Sequence, residues 1–380
     1  MIKVDPIEVI GRAFRYAHAR QYGLKICDRM LADVHDIPVD PHEADRAMSL
    51  LEAFHPDCGR SCLTVNHIDE PQYDIQVIMP VYNTAGTVCE AVESVLSQSG
   101  PEKTLLTIIN DGSPDDSREK LRRYEGHPDI EIIDQENRGF SGARNAGLRH
   151  LRARYVTFLD SDDRLADGAL HSLFQAAVRN DSDIVQGGFR SFRPDGSTKG
   201  QWLPADSPDH GELLGFPWGK LFRSELFASV AFPENYWYED TLMPMIIFPL
   251  ARVKTSIAAT VYHYRLNPLG ITSKAKKSRR VLDSLWVTRR LFADRELLGI
   301  RPTLSDYESF LLQVRNNHRR VFRNGGNRVA HALFTIHRCL RQRYFADSDL
   351  RRSCSPWHAR ADRALAAGDY TAFRLWVGLK

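Results

Sequence analysis

The chain has no apolar run approaching the ~18 residues that a membrane-spanning helix needs. Residues 1–19 place acids at Asp5 and Glu8 and hold no apolar core, so no secretory signal is expected there. Cysteine is sparse, with six in 380 residues, at positions 27, 58, 62, 89, 339 and 354. That density excludes a disulfide scaffold and makes a reducing, cytoplasmic compartment the expectation. Internal repeats and low-complexity tracts are also missing, which removes solenoids and biased linkers.

What is present is an ordinary globular composition, 43% hydrophobic and 26% charged. At a prior of roughly 150 residues per domain the length suggests two or three domains. The formal charge of +3 conceals an asymmetry. Residues 271–380 carry 23 Lys/Arg against 9 Asp/Glu, a net +14, which leaves −11 for residues 1–270. Such a basic segment suits anionic lipid or a polyanionic acceptor, or it is simply a solvated helical surface. Nucleic acid is the least expected partner, and a homo-oligomer stays open.

Three regions separate by pattern. Residues 1–72 mix helical periodicity, at 7–22 and 43–54, with a Pro/His/Cys-rich stretch. Residues 73–270 alternate short apolar runs with amphipathic ones, and 271–380 read as helices with Arg-rich faces. In the middle region the expected strands are 75–81, 105–110, 130–133 and 155–159. The expected helices are 84–98, 115–124 and 141–151. Strands alternating with helices of this length argue for βαβ units. The expected fold is therefore α/β, a mostly parallel twisted sheet flanked by helices, with an N-terminal helical extension and a C-terminal helical domain. In such sheets ligands bind beyond the carboxyl ends of the strands.

The chemistry-bearing residues fall at those ends. Asp160-Ser161-Asp162-Asp163 sets three carboxylates within four residues after a strand. Like charges this close repel, and a hard cation such as Mg²⁺ or Mn²⁺ removes the conflict. The plain alternative is an acidic helix cap, with Asp163 or Asp167 capping the helix through Ala177. Pro80-Val81-Tyr82-Asn83 offers an aromatic face for a base, or simply a strand-to-helix turn. Asn110-Asp111-Gly112-Ser113 offers a carboxylate for a base N–H, or an Asp-Gly turn. In 137–145, from Asn137 to Asn145, glycines open a helix, so free backbone N–H groups and the positive end of a dipole face outward. Arg144 sits in its first turn, where a cation is unfavourable unless an anion is near. A diphosphate would explain both features.

Together these stretches resemble glycosyltransferase family 2: 77–83, 110–113, Asn137-Arg138-Gly139 with Ala143-Arg144-Asn145-Ala146-Gly147, and Phe158-Leu159-Asp160-Ser161-Asp162-Asp163. The four motifs are specific in this order, and the resemblance covers about residues 73–270. It implies the GT-A fold and inverting transfer of a sugar from a nucleoside-diphosphate donor, with UDP-sugar favoured. The products expected are surface polysaccharide or cell-wall glycopolymer. Pro80, Tyr82, Asn83, Asp111, Asn137, Arg144, Asp160 and Ser161 would form the donor site, with Arg144 near the diphosphate. Asp162 would bind the metal directly. Asp160 would reach the ribose or the metal's water shell, and His263 would be a further candidate ligand. Asp240, in Tyr238-Glu239-Asp240, would be the base that takes the acceptor proton. Trp218, Lys220, Glu239 and Arg265 would face the acceptor, a glycan or a lipid-linked saccharide, with peripheral membrane contact through the basic C-terminal region. The transferred group would be a hexose or an N-acetylhexosamine. Residues 274–280 read as a basic loop that could close over the diphosphate, or as a linker.

Two rival classes remain. A sugar nucleotidyltransferase would favour a Gly-rich loop with Arg and Lys after the first strand, where this chain has Tyr82-Asn83-Thr84-Ala85-Gly86. A non-catalytic nucleotide-sugar-binding scaffold would be expected to have lost Asp160, Asp162 or Asp240. His55, Cys58, Cys62 and His67 could in principle hold zinc, but their spacing fits no common template, so a plain loop is the expectation.

Overall fold

The computed structural model describes residues 36–209, 211, 213–267, 278–346 and 355–378. The periodicity at 7–22 and most of the basic loop at 274–280 lie outside them.

Residue 75 onward is a buried strand because Ile75, Val77, Ile78, Met79 and Val81 are all inaccessible, so both faces are covered. The strand β1 (His67–Val81) begins earlier than its apolar run, since residues 67–74 are mostly exposed and polar yet keep pairing. Four parallel strands follow the expected pattern: β1, β2 (Thr104–Asp111), β3 (Ile130–Gln135) and β4 (His150–Phe158). They are joined through helices α2 (Val88–Leu96), α3 (Ser117–Leu121) and α4 (Gly139–Leu148), while α1 (Pro41–Phe54) precedes them. Beyond β4 the sheet becomes mixed. Strands β5 (Arg164–Leu165), β6 (Ile184–Phe192), β7 (Thr198–Trp202), β8 (Lys220–Arg223) and β9 (Lys254–Arg265) complete it, with α5 (Ala169–Arg179) packed against it. The order is β3-β2-β1-β4-β8-β6-β9-β5, with β7 on β6. Half of the eight pairings are antiparallel; the N-terminal half of the sheet is all parallel, and β6 and β9 add one parallel pairing to the mixed half.

This order positions the site. The chain runs from β1 outward to β2 and β3, then returns to place β4 on the other side of β1. The carboxyl ends of β1 and β4 therefore border a topological switch point, where open α/β sheets leave a crevice. Helix α4 lies close beneath. From Ser141 to Leu148 every residue is buried, and Gly147, with the small Ala143 and Ala146, lets it approach the sheet. A Cβ on Gly147 would stand 2.6 Å from Ile78 Cγ2.

The chain divides into two compact units, 58–273 with 286–300, and 1–57 with 274–285 and 301–380. This partition differs from the three regions read from pattern, since the described part of α1 shares a unit with the C-terminal helices. Those helices are α7 (Leu304–Tyr344), α8 (Pro356–Ala367) and α9 (Tyr370–Val377), after α6 (Asp283–Leu297), whose residues are divided between the units. Helix α7 starts with a reciprocal Thr303/Asp306 capping box and breaks at Gly326, whose φ is 69°. No helix among the described residues is long and apolar enough to cross a membrane.

Candidate active site

At the end of β1, Tyr82 is 50% exposed and Asn83 adopts a left-handed backbone with φ 55°. That turn sends the chain into α2 and leaves the tyrosine ring open to solvent. Pro80 pairs in register with Ile109, and Val81 with Asn110, so Tyr82 stands beside the end of β2.

There Asp111 is buried to 1% exposure. Its Oδ1 accepts from Gln135 Nε2 at 2.6 Å and from the Arg138 backbone N–H at 2.8 Å. Its Oδ2 is buried with no hydrogen-bond partner among the described residues. A carboxylate can only accept, so a buried oxygen of this kind calls for an N–H or O–H beyond those of the described residues. Asn137 is exposed and accepts the Gly139 N–H at 3.3 Å, within the turn that opens α4.

Arg144 is where expectation and structure part. Its guanidinium is nearly inaccessible and meets Asp160 Oδ1 at 2.8 Å through one nitrogen and Glu239 Oε1 at 2.7 Å through the other. The structure starts α4 at Gly139, so Arg144 lies in its second turn, and the protein itself supplies two anions to it. Burial works against the arginine's charge, but Asp160 and Glu239 outweigh it and raise its proton affinity. The ring of Phe232 lies 5.3 Å from the guanidinium carbon.

The acidic turn divides its labour. Asp163 is buried, and both of its oxygens are engaged, by the Tyr262 hydroxyl at 2.9 Å and the Arg265 N–H at 2.6 Å. It caps no helix. Gly168, at φ 67°, stands at the N-terminus of α5, and no side-chain cap is made there. The acidic-cap alternative therefore fails for this turn. Ser161 accepts from Thr84 Oγ1 at 3.0 Å, tying the turn to the loop after β1. Asp162 is the least engaged of the three carboxylates, with one long contact, 3.3 Å, from Asn267. Burial first, then the Asp160 charge, push the Asp162 carboxyl above its ordinary range, and the same causes act more strongly on Asp163. A divalent cation would relieve this crowding, and hard carboxylate oxygens fit it. Among the described residues no group of three or more His, Cys, Asp or Glu forms a full metal cage. A cation here would draw its remaining ligands from phosphate and water.

Glu239 and Asp240 open a short 3-10 turn (Glu239–Thr241) after Tyr238, which is left-handed at φ 67°. Burial, reinforced by Asp240 and opposed by Arg144, pushes the Glu239 carboxyl up to about 7. The loop before it is pinned to α4. Asn145 donates to the Phe232 carbonyl at 2.9 Å and accepts from its N–H at 2.8 Å, and Arg138 forks onto Glu234 at 2.8 and 3.0 Å.

The acceptor-side residues are not brought together. Trp218 is 8% exposed, its indole stacked by Phe216 at 4.6 Å and by Tyr262 at 4.5 Å. Phe216, 37% exposed, takes the open place in this column. Lys220 is fully buried, donates to the Phe216 carbonyl at 2.8 Å, and is pushed well below the usual lysine range by that burial. Arg265 donates to the Asp162 carbonyl at 2.7 Å and pairs with Glu90. His263 alternates with Tyr262 and Tyr264 along β9, so it faces the opposite side of the sheet from the tyrosine that touches the acidic turn. Burial and then Arg164 lower its proton affinity. The period of two in 261–265 was the signal that would have favoured Tyr262 over His263. Glu234 and Phe216 had no sequence signal.

The other ligand cluster disperses. His55 pairs with Asp283 at 2.7 Å and His67 with Asp69 at 2.8 Å, and Cys62 is buried beside Asp294. Cys58 is exposed.

Residues 76–225 match the family described as glycosyl transferase family 2. Over 212 residues the chain is 29% identical to glycosyltransferase GlyA of Streptococcus pneumoniae, covering 50% of this chain and 30% of that protein. Over 226 residues it is 30% identical to the minor teichoic acid biosynthesis protein GgaB of Bacillus subtilis, covering 54% of this chain and 25% of that one. The chain thus spans a third or less of the length of either relative. The crystal structure of S. aureus TarS 1-349 in complex with UDP-GlcNAc superposes with a TM-score of 0.63 at 17% identity, over 80% of this chain and 90% of that one. At that identity the likeness is one of fold. The motifs at the ends of β1, β2 and β4, the family match and this architecture agree: residues 76–225 are a glycosyl transferase family 2 domain, set in a GT-A fold.

Proposed function

We propose that the protein transfers a hexose or N-acetylhexosamine from a nucleoside-diphosphate sugar, a UDP-sugar by preference, to a hydroxyl of a surface or cell-wall glycopolymer, inverting the anomeric centre. The observation that carries the donor reading is Asp111 Oδ2, a buried carboxylate oxygen without a partner at the end of β2. It awaits an N–H, and a uracil ring has one. The ends of β2 and β4 are two inter-strand spacings apart, about 10 Å. That distance suits a nucleoside diphosphate with its base at Asp111, Tyr82 against the base, and its phosphates toward Asp160 and Asp162.

The residues present fit Mg²⁺ or Mn²⁺, with Asp162 as direct ligand and Asp160 as direct or water-mediated contact. When bound, such an ion supplies Lewis-acid stabilisation of the departing diphosphate. Asp240 takes the proton of the acceptor hydroxyl as its oxygen forms the bond to the anomeric carbon. The bond from that carbon to the diphosphate oxygen breaks with the electron pair leaving on the nucleotide. Glu239 and Arg144 hold the turn that carries Asp240 against the acidic turn. Phe216, rather than the enclosed Trp218, offers the exposed aromatic face for an acceptor sugar. Support for a glycopolymer acceptor comes from the teichoic acid relative and from the basic C-terminal region, which suits a lipid-linked acceptor held at a membrane surface.

A screen of nucleotide-sugar hydrolysis with Mg²⁺ and Mn²⁺ identifies the donor. Asp240→Asn keeps nucleoside-diphosphate binding and loses transfer by about 10²–10⁴-fold. Unchanged turnover in that variant would place the base elsewhere.

A further inference from the structure

Between Glu308 and Asp347 the chain has no acidic residue, although an average stretch of that length would hold about five. The same stretch carries eight arginines and no lysine. Two of them serve the interior: Arg338 bonds to the Leu365 and Ile37 carbonyls, and Arg341 pairs with Asp362 and Asp36. Of the others, Arg319 and Arg323 are exposed along α7. Before the break at Gly326, one face of α7 is buried through Tyr307, Phe310, Leu311, Val314, His318 and Val321. The opposite face runs through Ser309, Leu312, Arg319 and Arg323, all exposed and spaced as one stripe of a helix. Leu312 is 44% exposed in the middle of this stripe. Beside it, the Arg315 guanidinium lies 5.3 Å from the ring of Trp357, which is itself 37% exposed.

We propose that this stripe of α7, with Trp357 of α8, is a docking surface for an anionic lipid bilayer. Arginines alone would suit any polyanion, because a guanidinium grips phosphate with two parallel donors. The exposed Leu312 and Trp357 decide the case. A dissolved polyanion offers no apolar phase for them, whereas a bilayer takes a tryptophan at the headgroup level and a leucine at the acyl boundary while its phosphates meet the arginines. Charge complementarity comes from the missing carboxylates, which would otherwise repel an anionic leaflet. The inference deepens the membrane-side reading of the acceptor, but its test uses neither donor nor metal. Failure here would leave the transfer chemistry untouched.

The test is sedimentation of the full chain with vesicles of phosphatidylcholine containing about one third phosphatidylglycerol, against pure phosphatidylcholine, at low and high salt. Binding to the anionic vesicles that weakens with salt is expected. A basic residue near such a surface contributes about fivefold to partitioning, so Arg319→Glu with Arg323→Glu should lower it at least twentyfold. Leu312→Ser should lower it several-fold while leaving heparin binding unchanged. Trp357→Ala should do the same, but Trp357 also packs on Trp376 at 4.8 Å, so the exposed Leu312 is the safer probe, checked by an unchanged melting temperature. Absence of binding to anionic vesicles overturns the proposal. So does full vesicle binding by Leu312→Ser alongside parallel losses of vesicle and heparin binding in the arginine variant, which would mark a surface for soluble polyanions.

Discussion

Glu239→Gln tests whether burial or the Arg144 charge governs the centre of the site. The two effects oppose one another at this carboxyl. Arg144, 2.7 Å away, favours ionisation, while burial and Asp240 disfavour it, and the net result places its pKa at about 7 against an ordinary 4.5. A carboxyl whose folded pKa is raised binds its proton more tightly when folded. Its stabilising contribution is therefore complete below about pH 4.5 and is lost as pH rises through 7. The shift corresponds to about 3 kcal/mol. Gln cannot titrate, so its variant lacks this loss.

The assay is urea unfolding of the full chain and of Glu239→Gln, with a chelator present, at intervals from pH 4 to pH 8. Wild-type stability minus variant stability should fall by about 3 kcal/mol between pH 4.5 and 7 and then level off. Background titrations shared by the two proteins cancel in the difference. A flat difference, or one that rises with pH, would refute the reasoning. It would mean that the Arg144 ion pair outweighs burial and that Glu239 is ionised throughout.

Other outcomes follow from the same geometry. Asp162→Asn should abolish the enhancement of nucleoside-diphosphate binding by Mn²⁺ in calorimetry, while metal-free stability at pH 7 holds or rises, since a crowded, half-buried carboxylate is gone. Gly147→Ala should lower stability by about 1–2 kcal/mol, because crowding against Ile78 outweighs the gain in helix propensity; a stabilised variant in thermal melts would show that α4 can retreat from the sheet. Lys220→Met should raise stability at pH 7 by about 1–3 kcal/mol, the relief of burying an amine exceeding the loss of one donor to the Phe216 carbonyl. Because burial lowers the lysine's pKa, wild-type stability climbs with pH toward 10.5 and the advantage of Met shrinks; a pH-independent gain would mean that burial leaves the amine's pKa unshifted.

What could be read in advance was local, and what could not was distant in the chain. Strands β1 and β2 announce themselves because strands buried on both faces are nearly continuous apolar runs, as in 75–81 and 105–109, and β3 and β4 through shorter runs at 130–133 and 155–159. The turns after β1, β2 and β4 are equally plain, being polar residues directly after such runs. The second half of the sheet is not legible in this way. Strand β8 has four residues, and β6 contains Gly187 and Gly188, which pack against Val261 and Leu203. The site's internal ties are the least visible part. Arg138 and Glu234 are 96 residues apart, and Tyr262 and Asp163 are 99 apart. The partner Glu239 of Arg144 lies 95 residues further on and carries no local signal. Trp218 could be a platform or a core residue on sequence grounds, and only the stacking of Phe216 and Tyr262 on its ring separates the two.

These ties converge on α4, and its composition explains how. A helix that must reach several loops at once has to sit close to the sheet, and side chains larger than Ala on its inner face would hold it away. Ala143, Ala146 and Gly147 permit that approach, and three larger polar residues at its cap and in its middle then divide the work. The Arg138 backbone N–H fixes Asp111, where the base is proposed to bind. Arg144 joins the acidic turn after β4 to the turn that holds Asp240. Asn145 fastens the loop leading into that turn through paired bonds to the Phe232 backbone. Each bond alone is worth about 1 kcal/mol, and those to charged groups somewhat more. Their common origin on one ten-residue helix and its N-terminal cap matters more than their sum. It fixes the distances among Asp111, the acidic turn and the Glu239-Asp240 turn, which is the condition for a site that positions its reactants instead of assembling around them.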